Sequence, residues 1–337
     1  MKAGRVTLVL IVLAAATIVV LGVAPFVGMT PISLLDIFGG GPVPGKEYDI
    51  FCKIRLPRVL AAWLTGAGLA VAGMAFQALF RNPLATPFTL GVASGAALGA
   101  AMAIRFGVSV ALLGISGISM AALSGAALSV LLVYGISRAL TRSGAMLTTA
   151  TLLLAGVAVN FFFSSLNLFI QYLSDFTHTF RIIRWLMGGL EVAGFRSVFQ
   201  MVPFVAAGIA LVLISSRELD LLTTGEEIAA SRGVSVAGVQ RRLFFATSLL
   251  VGGVVAVCGP IGFVGIMVPH ICRLMVGPGH RALIPATVLF GGIFLTVCDT
   301  FARTVIAPAE IPVGVITALL GGPFFLLLLI RGSKYLD

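Results

Sequence analysis

Asp299 is the clearest acid inside an apolar run of this sequence, and His270 follows Pro269 inside another. A carboxylate and an imidazole in such surroundings are the groups an ion-driven carrier would use. Arg303 stands four residues after Asp299, so an i,i+4 pair can neutralise the acid internally. His270 reads better as a hydrogen-bonded histidine of a helix bundle than as a proton carrier. His178, Arg181 and Arg184, in the stretch SDFTHTFRIIRWLMGGL, could meet an anionic or metal-bearing substrate. The plainer reading is a solvated interfacial histidine. Asn160, Ser164, Asn167 and Gln171 recur at helical spacing, which favours lining an aqueous path over hydrogen bonding between helices. No H-E-x-x-H, G-x-S-x-G or P-loop lysine motif occurs, so there is no catalytic constellation and no site for hydrolysing nucleotide. Cys52, Cys258, Cys272 and Cys298 have neither metal-ligand nor disulfide spacing, and no metal site is expected.

The elements that must position these residues are membrane helices. The chain is 59% hydrophobic and 10% charged, whereas a soluble domain carries about 25% charged residues. Mean hydropathy is +1.13. The fold class is an all-α polytopic membrane protein, since a β-barrel would show short alternating segments. Apolar runs fall near 6–26, 57–79, 89–104, 112–137, 147–171, 197–214, 243–258, 260–276, 283–302 and 311–330. These give about ten transmembrane helices. The first run exceeds the roughly 7–15 residues of a signal-peptide core and reads as a retained span. An even number puts both termini on one side. The larger share of the 22 Lys and Arg falls on that side, which marks it as cytoplasmic. The net charge of +10 therefore speaks of topology in a lipid bilayer and not of nucleic acid.

Three connections carry more than a turn needs. The stretch 217–242 is long enough for two short helices, punctuated by Gly225, Gly233 and Gly238. Ile228, Ala229, Ala230, Val234 and Val236 give it an apolar face. That face either seeks a partner protein or rests on the protein's own helix ends. The outer loop, about 27–56, ends in KIRLPR. If helical, Arg55 and Arg58 share a face, as interfacial anchors or as a dock for an acidic partner. Pro83 and Pro87 fix a tight inner turn, and Gly259, Pro260, Gly262 and Gly265 imply a sharp outer reversal.

Seven stretches in order resemble one family: RLPR at 55–58, QALFRNPLATP, LLLAGVAV at 152–159, WLMGGL at 185–190, GEEIAASRGV, IGFVGIMVPHICR and AEIPVGVITALLGGPFF. They are similar to the permease subunits of type II ATP-binding-cassette importers, which carry iron-siderophores, haem and cobalamin. The resemblance implies a cobalamin-permease-like bundle, with residues 1–337 forming a single transmembrane permease domain in the bacterial inner membrane. It implies a second copy of the chain, with the path at the dimer interface. Two ATPase subunits would sit below, holding the ATP-Mg that this chain does not bind. A periplasmic or surface-tethered substrate-binding protein would sit above. Carried over residue by residue, Gly225, Glu226, Ala229, Arg232 and Gly233 match the segment that couples to the ATPase. Arg232 stands where many members have leucine. Arg55, Arg58 and Arg303 match the outer arginines that dock the binding protein. Asn82 and Leu84 match one inner gate, and Thr149 and Ala150 the other. Ala150 departs from the hydroxyl of the cobalamin member. The expected cargo is an iron-siderophore, with haem or cobalamin as alternatives. The rival expectation is a self-contained secondary carrier or channel built on Asp299 and His270.

Overall fold

A computed structural model describes residues 3–29, 32, 46–108, 111–112, 115–142 and 149–332. The described chain is helical almost throughout. It runs α1 (Ala3–Val23), α2 (Lys46–Asp49), a π-helical turn (Ile50–Arg55), α3 (Leu56–Leu79), a 3-10 turn (Pro87–Leu90), α4 (Val92–Arg105), α5 (Gly117–Arg142) and α6 (Thr149–Leu173). It continues through α7 (Phe176–Leu186), α8 (Arg196–Ile214), α9 (Ser216–Thr224), α10 (Glu226–Ser231), α11 (Val236–Cys258), α12 (Val264–Val276), α13 (His280–Ala302) and α14 (Val313–Gly332). A two-residue antiparallel pairing, Ala111–Leu112 with Ile115–Ser116, closes the turn between α4 and α5.

Seven of these helices are long and apolar enough to cross a membrane. Three shorter apolar helices, Val92–Arg105, Val264–Val276 and Val313–Leu328, occupy the remaining expected spans. Among the described residues, seven membrane-length helices and three shorter apolar ones thus fall on the ten runs expected from hydropathy. Hydropathy does not reveal α7 as a separate helix. It forms because Asp175 caps it, accepting a hydrogen bond from the His178 backbone N–H at 2.8 Å.

Burial sorts the helices into centre and rim. In the span Glu47–Leu79, 83% of the most apolar window is buried, and in Val236–Cys258 72%, against 11% in Gly4–Val23. α3 and α11 therefore form the core of the bundle, and α1 lies on its outside. Glycines let α3 approach its neighbours at backbone distance. A Cβ on Gly66 would strike the carbonyl of Gly291 on α13, and one on Gly73 the carbonyl of Gly265 on α12. Such contacts replace hydrophobic driving force, which is absent between helices in lipid.

The breaks are local. After α3 the chain turns at Arg81, whose φ is +47°, and the 3-10 turn opens on Pro87. The reversal between α11 and α12 passes through Gly259 (φ 67°) and Phe263 (φ 65°), as the Gly-Pro pattern suggests. α9 and α10 are the two short helices expected in 217–242, and Gly225 separates them.

Candidate functional site

One end of the bundle carries the α9–α10 segment. Gly225 has φ 128° and ψ 147°, a region open essentially to glycine alone, so the joint between the two helices depends on it. Ala229 is wholly buried, while Ile228 is 48% exposed. Glu227, Ala230, Arg232 and Gly233 are exposed as well, and Glu226, Val234 and Val236 are half-buried. The apolar face read from the sequence is thus divided, because a single short helix has two sides. Ala229 packs inward, and Ile228 and Ala230 point out. Polar ties hold the segment to the bundle. Gln240 Nε2 donates to Glu226 Oε1 at 3.2 Å. Arg242 Nη1 reaches Ser215 Oγ at 3.2 Å and Glu218 Oε1 at 3.4 Å. Asp220 Oδ1 accepts from the backbone N–H of His280 at 2.9 Å and lies 2.6 Å from its ring Nδ1.

The turn after α3 belongs to this same end, since Arg81 Nη1 lies against Gly225. Asn82 Oδ1 accepts from the Leu84 N–H at 2.9 Å, which shapes the turn, and Leu84 is 40% exposed. Thr149 and Ala150 open α6. Their side chains lie outside the described residues.

At the opposite end three arginines converge. Arg58 Nε lies 3.1 Å from both carboxylate oxygens of Asp299, its Nη2 2.9 Å from Oδ1, and its Nη1 2.7 Å from Glu310 Oε2. Arg303 Nη2 donates to the Ala24 carbonyl at 2.6 Å, and its Nε is 3.9 Å from Asp299 Oδ2. Arg55 Nη1 donates to the carbonyls of Pro25 and Phe26 at 3.3 and 3.2 Å. Together with Gly28, Pro308 and Glu310 they line a pocket of about 160 Å³. One expectation is revised here. The main partner of Asp299 is Arg58 from α3, not the i,i+4 neighbour Arg303. The arginines are largely buried: Arg55 is 6% exposed, Arg303 7% and the Arg58 side chain 11%. A buried carboxylate and the carbonyls that follow α1 require donors, and these guanidinium groups supply them.

Along α6 the four polar residues stand on one side, as their spacing predicts. That side is the less exposed one. Asn160, Ser164 and Gln171 are half-buried, and Asn167 is buried with its Oδ1 unpartnered. Phe161, Phe162, Leu168, Phe169 and Tyr172 take the exposed side. In this subunit the polar face turns toward the bundle, where α4 and α5 pack, and the open face is apolar.

Above α6, His178 Nδ1 lies 2.7 Å from Asp175 Oδ2. The His178 backbone N–H and ring hold the Asp175 carboxyl below its ordinary range. Arg184 Nη2 pairs with Glu191 Oε1 at 2.6 Å. Arg181 and Arg184 line a pocket of about 270 Å³ with Trp185, Glu191 and Cys258, and His178 is not part of its lining. His270 meets the ring of Phe324 edge-on at 5.8 Å, so it and Asp299 have different partners. Among the described residues no group of three or more His, Cys, Asp and Glu side chains could hold a metal.

Comparison with known proteins places this geometry. The model of the FecCD transport family matches residues 9–331. The chain is 39% identical over 285 residues to the hemin transport system permease protein HmuU of Yersinia pestis, covering 84% of each chain. It is 40% identical over 291 residues to the cobalamin import system permease protein BtuC of Halobacterium salinarum, covering 85% of this chain and 75% of the other. A solved structure provisionally described as an inward-facing conformation of a metal-chelate type ABC transporter superposes with a TM-score of 0.85. It is 30% identical, and the match covers 96% of this chain and 98% of that one.

Proposed function

The chain belongs to the FecCD transport family, and from that premise we propose that it is the permease subunit of an ATP-driven importer for a bulky metal chelate. The observation that carries the proposal is the glycine-jointed segment α9–α10. It presents Glu227, Ile228 and Arg232 at one end of an integral membrane bundle, while an arginine cluster occupies the other. A transporter driven by an ATPase on one side and loaded by a binding protein on the other needs two such ends.

Two copies of the chain would enclose the path, with two ATPase subunits against α9–α10 and a substrate-binding protein over Arg55, Arg58 and Arg303. Glu310, half-exposed, already holds Arg58 Nη1, so a partner's carboxylate would have to take its place there. ATP would draw the ATPase subunits together and shift the coupling segments, closing the outer and opening the inner gate in turn. The turn at Asn82 and Leu84 follows Arg81, whose guanidinium lies beside Gly225, and would feel that shift. Ferric siderophore is the first cargo to try, followed by haem and cobalamin, which the names of the relatives supply. A carrier built on Asp299 and His270 is disfavoured because the carboxylate is occupied by Arg58.

The test is reconstitution in liposomes with the ATPase and binding protein encoded beside it, loading the binding protein with each chelate in turn. ATP-dependent uptake of one of them supports the reading. Failure to assemble with any ATPase, together with ATP-independent uptake, would overturn it.

A further inference from the structure

α13 begins and ends on polar side-chain contacts. Its first residue, His280, is 3% exposed and tied twice to Asp220 of α9, through its backbone N–H and its ring. Near its last turn Asp299 is 1% exposed and held by Arg58. At about 1.5 Å per residue the helix reaches across the hydrocarbon layer, so the two contacts stand at opposite faces of the bundle.

The coupling segment has other polar ties, but they lead elsewhere. Glu226–Gln240 and Glu218–Arg242 both end on the first turns of α11, which the chain already joins to α10. Asp220 reaches a helix that is remote in sequence, 60 residues on. Leu219 and Leu222, on the same helix as Asp220, are buried and resist separation without fixing direction. An acceptor that takes both the N–H and the ring of one residue does fix direction, because neither bond survives a slide of either helix. The remaining ring nitrogen, His280 Nε2, is buried without a partner, so Asp220 is what holds the ring.

Resting on the importer reading above, we propose that Asp220 and His280 are positioning residues forming the mechanical joint between the coupling segment and α13. Movement of α9 carries α13 with it, and α13 delivers that movement to Asp299 and Arg58 at the far face. The pair acts on transport through helix position and touches neither nucleotide nor cargo.

The test compares two replacements in the complete transporter in proteoliposomes, with ferric hydroxamate, haemin and cobalamin as cargo in turn. His280→Leu fills the space and removes the ring donor, leaving Asp220 only the backbone N–H. His280→Asn keeps an N–H donor near the position of Nδ1. Cargo moved per ATP hydrolysed should fall about tenfold in the Leu variant, the scale of one lost charge-assisted hydrogen bond, with hydrolysis itself retained. It should stay near the wild-type value in the Asn variant. A Leu variant that couples normally would overturn the inference, as would an Asn variant that fails equally. If the His280→Leu variant does not assemble with the ATPase, Asp220→Asn and Asp220→Leu are measured in its place. The Asn substitution keeps an acceptor of the same shape and should leave the ratio near wild type, whereas Asp220→Leu removes the acceptor of both bonds, and an unchanged ratio in Asp220→Leu also overturns the inference. A wild-type protein that moves cargo without ATP would instead sink the importer reading on which the joint rests.

Discussion

Arg58 and Asp299, 241 residues apart in sequence, form a bidentate pair with Nε 3.1 Å from both oxygens and Nη2 2.9 Å from Oδ1. The acid is 1% exposed. Removing one partner of such a pair strands the other, at a cost of about 3–5 kcal/mol, while replacing both by apolar groups is often nearly neutral. Arg58→Met should therefore sharply lower the thermal unfolding midpoint of the purified subunit. Arg58→Met combined with Asp299→Leu should recover most of the loss. A double variant no more stable than the single one would contradict the pairing.

Asp299→Asn separates the two transport readings. The amide keeps an acceptor for Arg58, and in an importer ATP-dependent uptake persists. In a carrier that moves its ion on this carboxylate, uptake stops. Uptake assays with and without ATP decide between them.

The two faces of α10 should behave differently. Ile228 is 48% exposed and Ala229 wholly buried. Ile228→Glu is expected to weaken co-purification with the ATPase while leaving the melting temperature of the subunit unchanged. Ala229→Glu places a charge against the protein's own core and should lower both. Equal behaviour of the two variants would mean that the helix is seated differently.

Asp175 caps α7, and its bonds to His178 lower its pKa. A depressed folded-state value contributes stability above the unfolded pKa of about 4, lost as pH falls through the folded value. Hydrogen exchange of the α7 amides, corrected for intrinsic rates, should stay protected down to about pH 4 and loosen below it. Asp175→Ala should show the loosened pattern at neutral pH.

Much of this architecture was legible in the order of residues. Hydropathy is a local property, so the ten runs fell on apolar helices of the described chain, and Gly225 marked the joint of α9 and α10; α11 begins at Val236, ahead of the run read from 243, because Arg241 and Arg242 interrupt its apolar signal. Three features were not legible, each for a physical reason. The partner of Asp299 is remote in sequence, and only the i,i+4 neighbour Arg303 could be seen. The spacing of Asn160, Ser164, Asn167 and Gln171 gave a face but not its direction, because the apolar residues around it suit lipid and protein alike. Asp220 and His280 looked like ordinary loop and helix-end residues until folding brought them within 2.6 Å. A signal was present in His280, a histidine just after Gly277, Pro278 and Gly279 at the head of an apolar run, but nothing pointed to its acceptor.

At Gly66 with Gly291, and at Gly73 with Gly265, backbone rests on backbone with no side chain between. Interlocking side chains can trade rotamers and let two helices creep past each other, but these surfaces have nothing to rearrange. α3, α12 and α13 are in this sense keyed together like parts of one casting. A shape change in the subunit must then be taken up along seams filled by side chains, and a push on any of the three keyed helices is felt by all of them.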